Sequence, residues 1–93
     1  MMKSMTVKEL QELIQQLEDE KGWNNEPDTK LVFLMEEMGE VAKCVRKMRT
    51  TAPTEDDLRD LNHEFADVIQ HLVSLANAFN IDLEQGLKEK KGL

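Results

Sequence analysis

Two apolar stripes with helical spacing flank a four-residue break, and that arrangement constrains the chain more than any other feature. Leu31, Leu34, Met38, Val41, Ala42, Val45 and Met48 recur at helical intervals, as do Leu58, Leu61, Phe65, Val68, Leu72, Leu75 and Phe79. Thr50 to Pro53 leave room only for a short turn between them, and helices joined by a short turn pack antiparallel. An antiparallel helix pair is therefore expected at the centre of the fold.

The remaining segments follow the same grammar. Thr6-Val7-Lys8-Glu9 reads as a capping box ahead of Leu10, Leu13, Ile14 and Leu17, and Gly22 ends that helix. The connector WNNEP at 23–27 leads to Asp28 or Thr29 as the cap of the second helix, which is expected to run to about Arg49. Thr54 caps the third helix, with Glu55, Asp56 and Asp57 complementing the dipole of its first turn. Asn80 suits a left-handed terminus, and Asp82-Leu83-Glu84-Gln85 starts a short fourth helix. No strand pattern competes. The expected fold is all-α, a four-helix protomer in which residues 1–93 form a single domain.

A chain of 93 residues builds only a modest core, so self-association as a homodimer or tetramer is expected. With 19 acidic against 12 basic residues and a formal charge of −7, binding to a nucleic acid polymer or an anionic membrane surface is disfavoured, whereas divalent cations are attracted. The single cysteine, Cys44, permits no intramolecular disulfide and reads as a small packing residue. The stretch MMKSMTVKEL lacks an apolar leader segment, and no apolar run is long enough to span a bilayer, so a cytoplasmic location is expected.

The acidic residues are not spread evenly. EEMGE at 36–40 and EFAD at 64–67 place Glu37 and Glu40, and Glu64 and Asp67, at nearly the same angular offset from the stripes of their two helices. Each pair also lies about ten residues from the turn, or roughly 15 Å along the axis. The four carboxylates should therefore converge. Like charges at 4 Å repel by about 4 kcal/mol at an effective dielectric of 20, so these groups are either partly protonated or neutralised by a cation. Oxygen ligands without cysteine, and with no histidine at the i+3 position, point to a hard ion, Mg²⁺ or Mn²⁺, rather than zinc or iron. Ordinary solvated helix flanks are the plainer explanation for either pair alone. Glu36 points further toward solvent, as an outer partner, a water-activating base or neither.

Other residues admit two readings each. Lys43 and Lys47 sit where positive charge suits a helix C-terminus, and also where they would reach phosphate oxygens beside a metal. Trp23, followed by two asparagines, either covers the end of the bundle or stacks on a nucleobase. His63 and His71 read as surface or interface residues. Phe33 and Cys44 share the side of Glu37 and Glu40, which gives the second helix a partly apolar face that needs a cover, a subunit or the substrate.

Glu36-Glu37-x-x-Glu40 followed by Glu64-x-x-Asp67 resembles the signature of the MazG-like, all-α nucleoside triphosphate pyrophosphohydrolases. EEMGEVAK, EFADVIQHLVSLA and NIDLEQGLKEK resemble family stretches in order, as does GW ahead of the first motif, so the resemblance covers most of residues 22–90. It implies a Mg²⁺-dependent hydrolase that cleaves a nucleoside triphosphate between its α and β phosphates, releasing a nucleoside monophosphate and pyrophosphate. It further implies Glu37, Glu40, Glu64 and Asp67 as metal ligands, Glu36 as a catalytic helper, Lys90 as a phosphate contact, and dimers or tetramers whose sites a neighbouring subunit completes. EKKGL at 89–93 lacks the asparagine that commonly follows the family lysine.

Three alternatives stand beside this reading. His71 in DVIQHL is similar to the related phosphoribosyl-ATP pyrophosphohydrolases, although their serine-tyrosine-threonine stretch is absent. A non-catalytic helical interaction module would carry the same acidic flanks as plain surface. A carboxylate-bridged redox metal protein would need histidines at spacings this chain lacks.

Overall fold

The computed structural model describes residues 4–93; Met1–Lys3, part of the stretch read above for a leader, lie outside the described residues. Four helices follow one another, α1 (Val7–Lys21), α2 (Pro27–Lys47), α3 (Glu55–Ala78) and α4 (Leu83–Lys91). Among the described residues there is no strand, and no helix is long and apolar enough to cross a membrane.

Local chemistry sets most of the boundaries. The Thr6 and Glu9 side chains exchange hydrogen bonds with each other's backbone N–H at 3.0 and 3.1 Å, and Gly22 closes α1 in the left-handed conformation at φ 70°. Thr54 and Asp57 form the same reciprocal cap on α3, and Asp82 accepts from the Gln85 N–H to start α4. Asn80 is left-handed at φ 54°, as its residue type favours. Thr54→Ala removes one of two reciprocal bonds and is expected to cost about 1 kcal/mol, read as a lower urea midpoint with an unchanged slope.

Helix α2 begins earlier than its expected cap. Pro27 occupies the first turn and Glu26 precedes it without a side-chain cap; proline brings a preset helical φ and no N–H to satisfy. Asp28 then lies inside the first turn, where it complements the helix dipole. At the other end α2 stops at Lys47, with Met48 as its cap, rather than at Arg49.

The packing is centred on α2 against α3, with α1 laid on α3 and α4 on α1. Climbing α2 from Lys30 through Phe33 to Glu37, the facing residues on α3 descend from Ser74 through His71 to Asp67. The pair is therefore antiparallel. Two polar clusters tie the other elements on. Gln11, buried on α1, donates to Asn77 Oδ1 (2.9 Å) and the Ile81 carbonyl (2.8 Å) and accepts from the Leu83 N–H (3.0 Å). Lys30 of α2 donates to Glu18 of α1 at 2.5 Å and to Ser74 of α3 at 2.6 Å, all three residues being buried.

The stripes themselves are only half covered. Leu34, Val41, Met48, Leu61, Val68 and Leu75 are partly buried. Leu31, Met38 and Val45 on α2, and Leu58, Phe65 and Leu72 on α3 with Phe79 as its C-terminal cap, remain 45–60% exposed. Each of these two sets recurs every seven residues, and two helices alone can cover only one side of such a stripe. The Cα radius of gyration, 15.2 Å, exceeds the about 12 Å of a compact monomer of this length.

Candidate metal centre

Helix periodicity brings Glu37 of α2 opposite Glu64 and Asp67 of α3, one turn apart on the facing helix. Each offers a carboxylate oxygen, and the three oxygens lie within 4.8 Å of one another. A set of oxygen donors at this spacing, drawn from two rigid helices, suits a hard divalent cation. Three of the four expected carboxylates are thus together. The fourth, Glu40, is exposed and stands outside the trio, on the wall of an adjoining cavity of about 290 Å³ that it shares with Glu64, Lys43, Lys47, Cys44, Asp60 and His63. Glu36 is exposed on the same helix.

The electrostatics of the trio follow from its crowding. Partial burial, then the negative charges of Asp67 and Glu64, hold the Glu37 carboxyl above its ordinary value of 4.5, and His71 opposes that rise. His71 Nε2 stands 4.0 Å from Glu37 Oε1, and its ring lies 5.8 Å from that of Phe33 at a tilt of 54°. The histidine expected on a surface or interface thus adjoins the carboxylates. Its place four residues after Asp67 was the available signal.

A carboxyl whose pKa is higher folded than unfolded favours the folded state at low pH and opposes it once both states are ionised. The metal-free protein is therefore expected to lose stability as pH rises from 4.5 through the raised Glu37 value. Denaturant unfolding in EDTA at pH 5 and pH 7 checks this, and Glu37→Gln should flatten that part of the profile.

A larger cavity of about 400 Å³ opens on the other side of His71, where Trp23, Asn25, Phe33 and Gln70 join the buried Glu18, Lys30 and Ser74. Trp23 is 43% exposed and lines this cavity. Lys90 is exposed on α4, which packs on α1, and it lines neither cavity. Sequence reasoning missed the Glu18–Lys30–Ser74 cluster. The position of Glu18, four residues after Ile14 on the apolar side of α1, was its only sign.

Comparison with known proteins adds to this geometry. A sequence model of the MazG nucleotide pyrophosphohydrolase domain matches residues 25–91. Crystal structures of iMazG from Vibrio DAT 722, in Ntag and Ctag forms, superpose with a TM-score of 0.68 at 29% identity. The alignments cover 95% of this chain and 92% and 96% of those chains. No curated protein matches significantly.

Proposed function

Because the chain belongs to the MazG nucleotide pyrophosphohydrolase family, and so is a hydrolase of nucleotide phosphoanhydride bonds, we propose that it converts a nucleoside triphosphate to its monophosphate and pyrophosphate with Mg²⁺, or Mn²⁺, as cofactor. The observation that carries the cofactor assignment is the convergence of Glu37, Glu64 and Asp67 from two antiparallel helices within 4.8 Å. Glu40, one turn along from Glu37, is assigned as the fourth ligand. Such an ion, when bound, neutralises phosphate charge and polarises the attacked phosphoryl group.

The chain's own residues supply the rest. Lys43 and Lys47, beside Glu40 and Glu64 in the smaller cavity, face the triphosphate as point charges. Trp23 offers a ring face to the base at the opposite side of the carboxylates. Water forms the new bond to phosphorus, the oxygen bridging the α and β phosphates leaves with one of the two products, and Glu36 is assigned to take the proton released. Lys90 is assigned to phosphate only through association of subunits, because α4 packs on α1 within the protomer. The half-covered stripes support a homodimer, or a tetramer built from two dimers; residues 1–93 are assigned as a single domain and the cytoplasm as its location.

The test is a panel of the eight common nucleoside triphosphates with pyrophosphate detection, with and without Mg²⁺. Pyrophosphate release from at least one that stops on chelation is expected. Orthophosphate as the sole phosphate product, or no turnover on any of them, would overturn the proposal.

A further inference from the structure

His71 has no task in that chemistry, yet it stands against the metal centre. Among the described residues it is the only lysine, arginine or histidine that brings a side-chain nitrogen within 4.0 Å of a carboxylate of the trio. That carboxylate belongs to Glu37, the one member of the trio drawn from α2. Its side chain is long, rotatable and a quarter exposed, and Asp67 and Glu64 repel it, so the helix backbone alone does not decide where its oxygens point.

The His71 ring is itself fixed. It packs on Phe33 with centroids 5.8 Å apart and a tilt of 54°, within the separation that favours aromatic pairs. Phe33 lies four residues before Glu37 on α2, and His71 four residues after Asp67 on α3, so one turn of each helix forms a layer beside the trio. Phe33 thereby steadies a ring from α3 whose Nε2 faces Glu37. A carboxylate only accepts hydrogen bonds, so a neutral ring in this place carries its proton on Nε2. Such a donor orients Glu37 without cancelling the charge that a cation needs. The 4.0 Å separation is about 1 Å longer than a hydrogen bond, and bonds at reaction centres commonly tighten only once the site is filled.

We propose that His71 is a positioning residue, which holds the Glu37 carboxylate in its ligating orientation by donating a hydrogen bond from Nε2. The proposal rests on the metal-centre reading above and adds to it the group that orients the ligand from α2.

Two substitutions separate orientation from packing. His71→Phe keeps a ring against Phe33 and loses the N–H, whereas His71→Gln loses the ring and keeps an amide N–H of similar reach. Mn²⁺ binding to the full chain is measured from the electron paramagnetic resonance signal of the free ion, so no turnover is needed, and melting in EDTA shows that each variant is folded. His71→Phe is expected to bind Mn²⁺ about 10–100-fold more weakly than the parent, the usual loss when the partner of a metal ligand is removed. His71→Gln should stay close to the parent. Should His71→Phe fail to fold, His71→Leu, smaller and equally without an N–H, takes its place. A role in packing alone predicts the reverse order, and that order, or the same affinity in the two variants, overturns the proposal while leaving the metal centre in place. A parent that binds no Mn²⁺ overturns it together with the cofactor assignment.

Discussion

Asp67→Asn is expected to lower pyrophosphate release by at least about a hundredfold while the protein stays folded. Groups that only orient a metal ligand typically cost 10–100-fold when lost, and Asp67 contributes an oxygen to the trio directly. The substitution keeps the shape of the side chain and removes one of three mutually repelling charges. In EDTA the variant should therefore melt at the same temperature as the parent or higher, and Mg²⁺ should raise its melting temperature less. Full activity in Asp67→Asn refutes the metal-site assignment. Loss of activity together with loss of the fold would instead make Asp67 a structural residue. Glu40→Gln extends the test to the carboxylate that stands outside the trio: a comparable loss makes it the fourth ligand, and a loss under about tenfold leaves it a cavity-wall residue.

What the sequence made legible was mostly local. The Thr6–Glu9 and Thr54–Asp57 caps, the left-handed Gly22 and Asn80, and the start of α4 at Asp82 each depend on residues a few positions apart, so the pattern and the structure coincide. The carboxylate trio was legible for a related reason. Helical periodicity fixes an angle, a short turn fixes a height, and together they put Glu37 opposite Glu64 and Asp67. Glu40 lies on the same flank one turn along, yet it stands outside the trio and on a cavity wall with Lys43 and Lys47, a placement that a helical wheel, which holds no side-chain conformations, does not contain.

The polar clusters were illegible for the opposite reason. Glu18, Lys30 and Gln11 belong to types that usually stay in water, and their partners lie up to 72 residues away in the chain. Nothing local marks Lys30 as buried, one position before Leu31. Pairing with Glu18 and Ser74 is what makes that burial tolerable, and only the packing of α1 on α3 brings them together. The stripes were legible as apolar, but periodicity shows which side avoids water and not what covers it.

That uncovered side makes Phe65→Asp a sharp test of assembly. The antiparallel register puts Val45 level with Leu58, Met38 with Phe65, and Leu31 with Leu72, three layers of side chains that are 45–52% exposed on the protomer. If the protomer worked alone, a polar residue at so exposed a position would change stability by no more than about 0.5 kcal/mol. If a second copy covers these layers, the introduced carboxylate would enter an apolar interface as an unpaired charge, at a cost of several kcal/mol. The expected result is a parent protein with at least twice the 10.7 kDa chain mass by sedimentation equilibrium, and a variant that sediments as one chain. The parent's melting temperature should also rise with protein concentration, as it must when folding and association are linked. If packing against a second copy is what steadies α2 and α3, which carry the carboxylate trio on another side, activity should fall with the dimer. A variant that remains dimeric and active would mean that the layers face solvent or some other partner, and the extended shape of the protomer would then need a different cause.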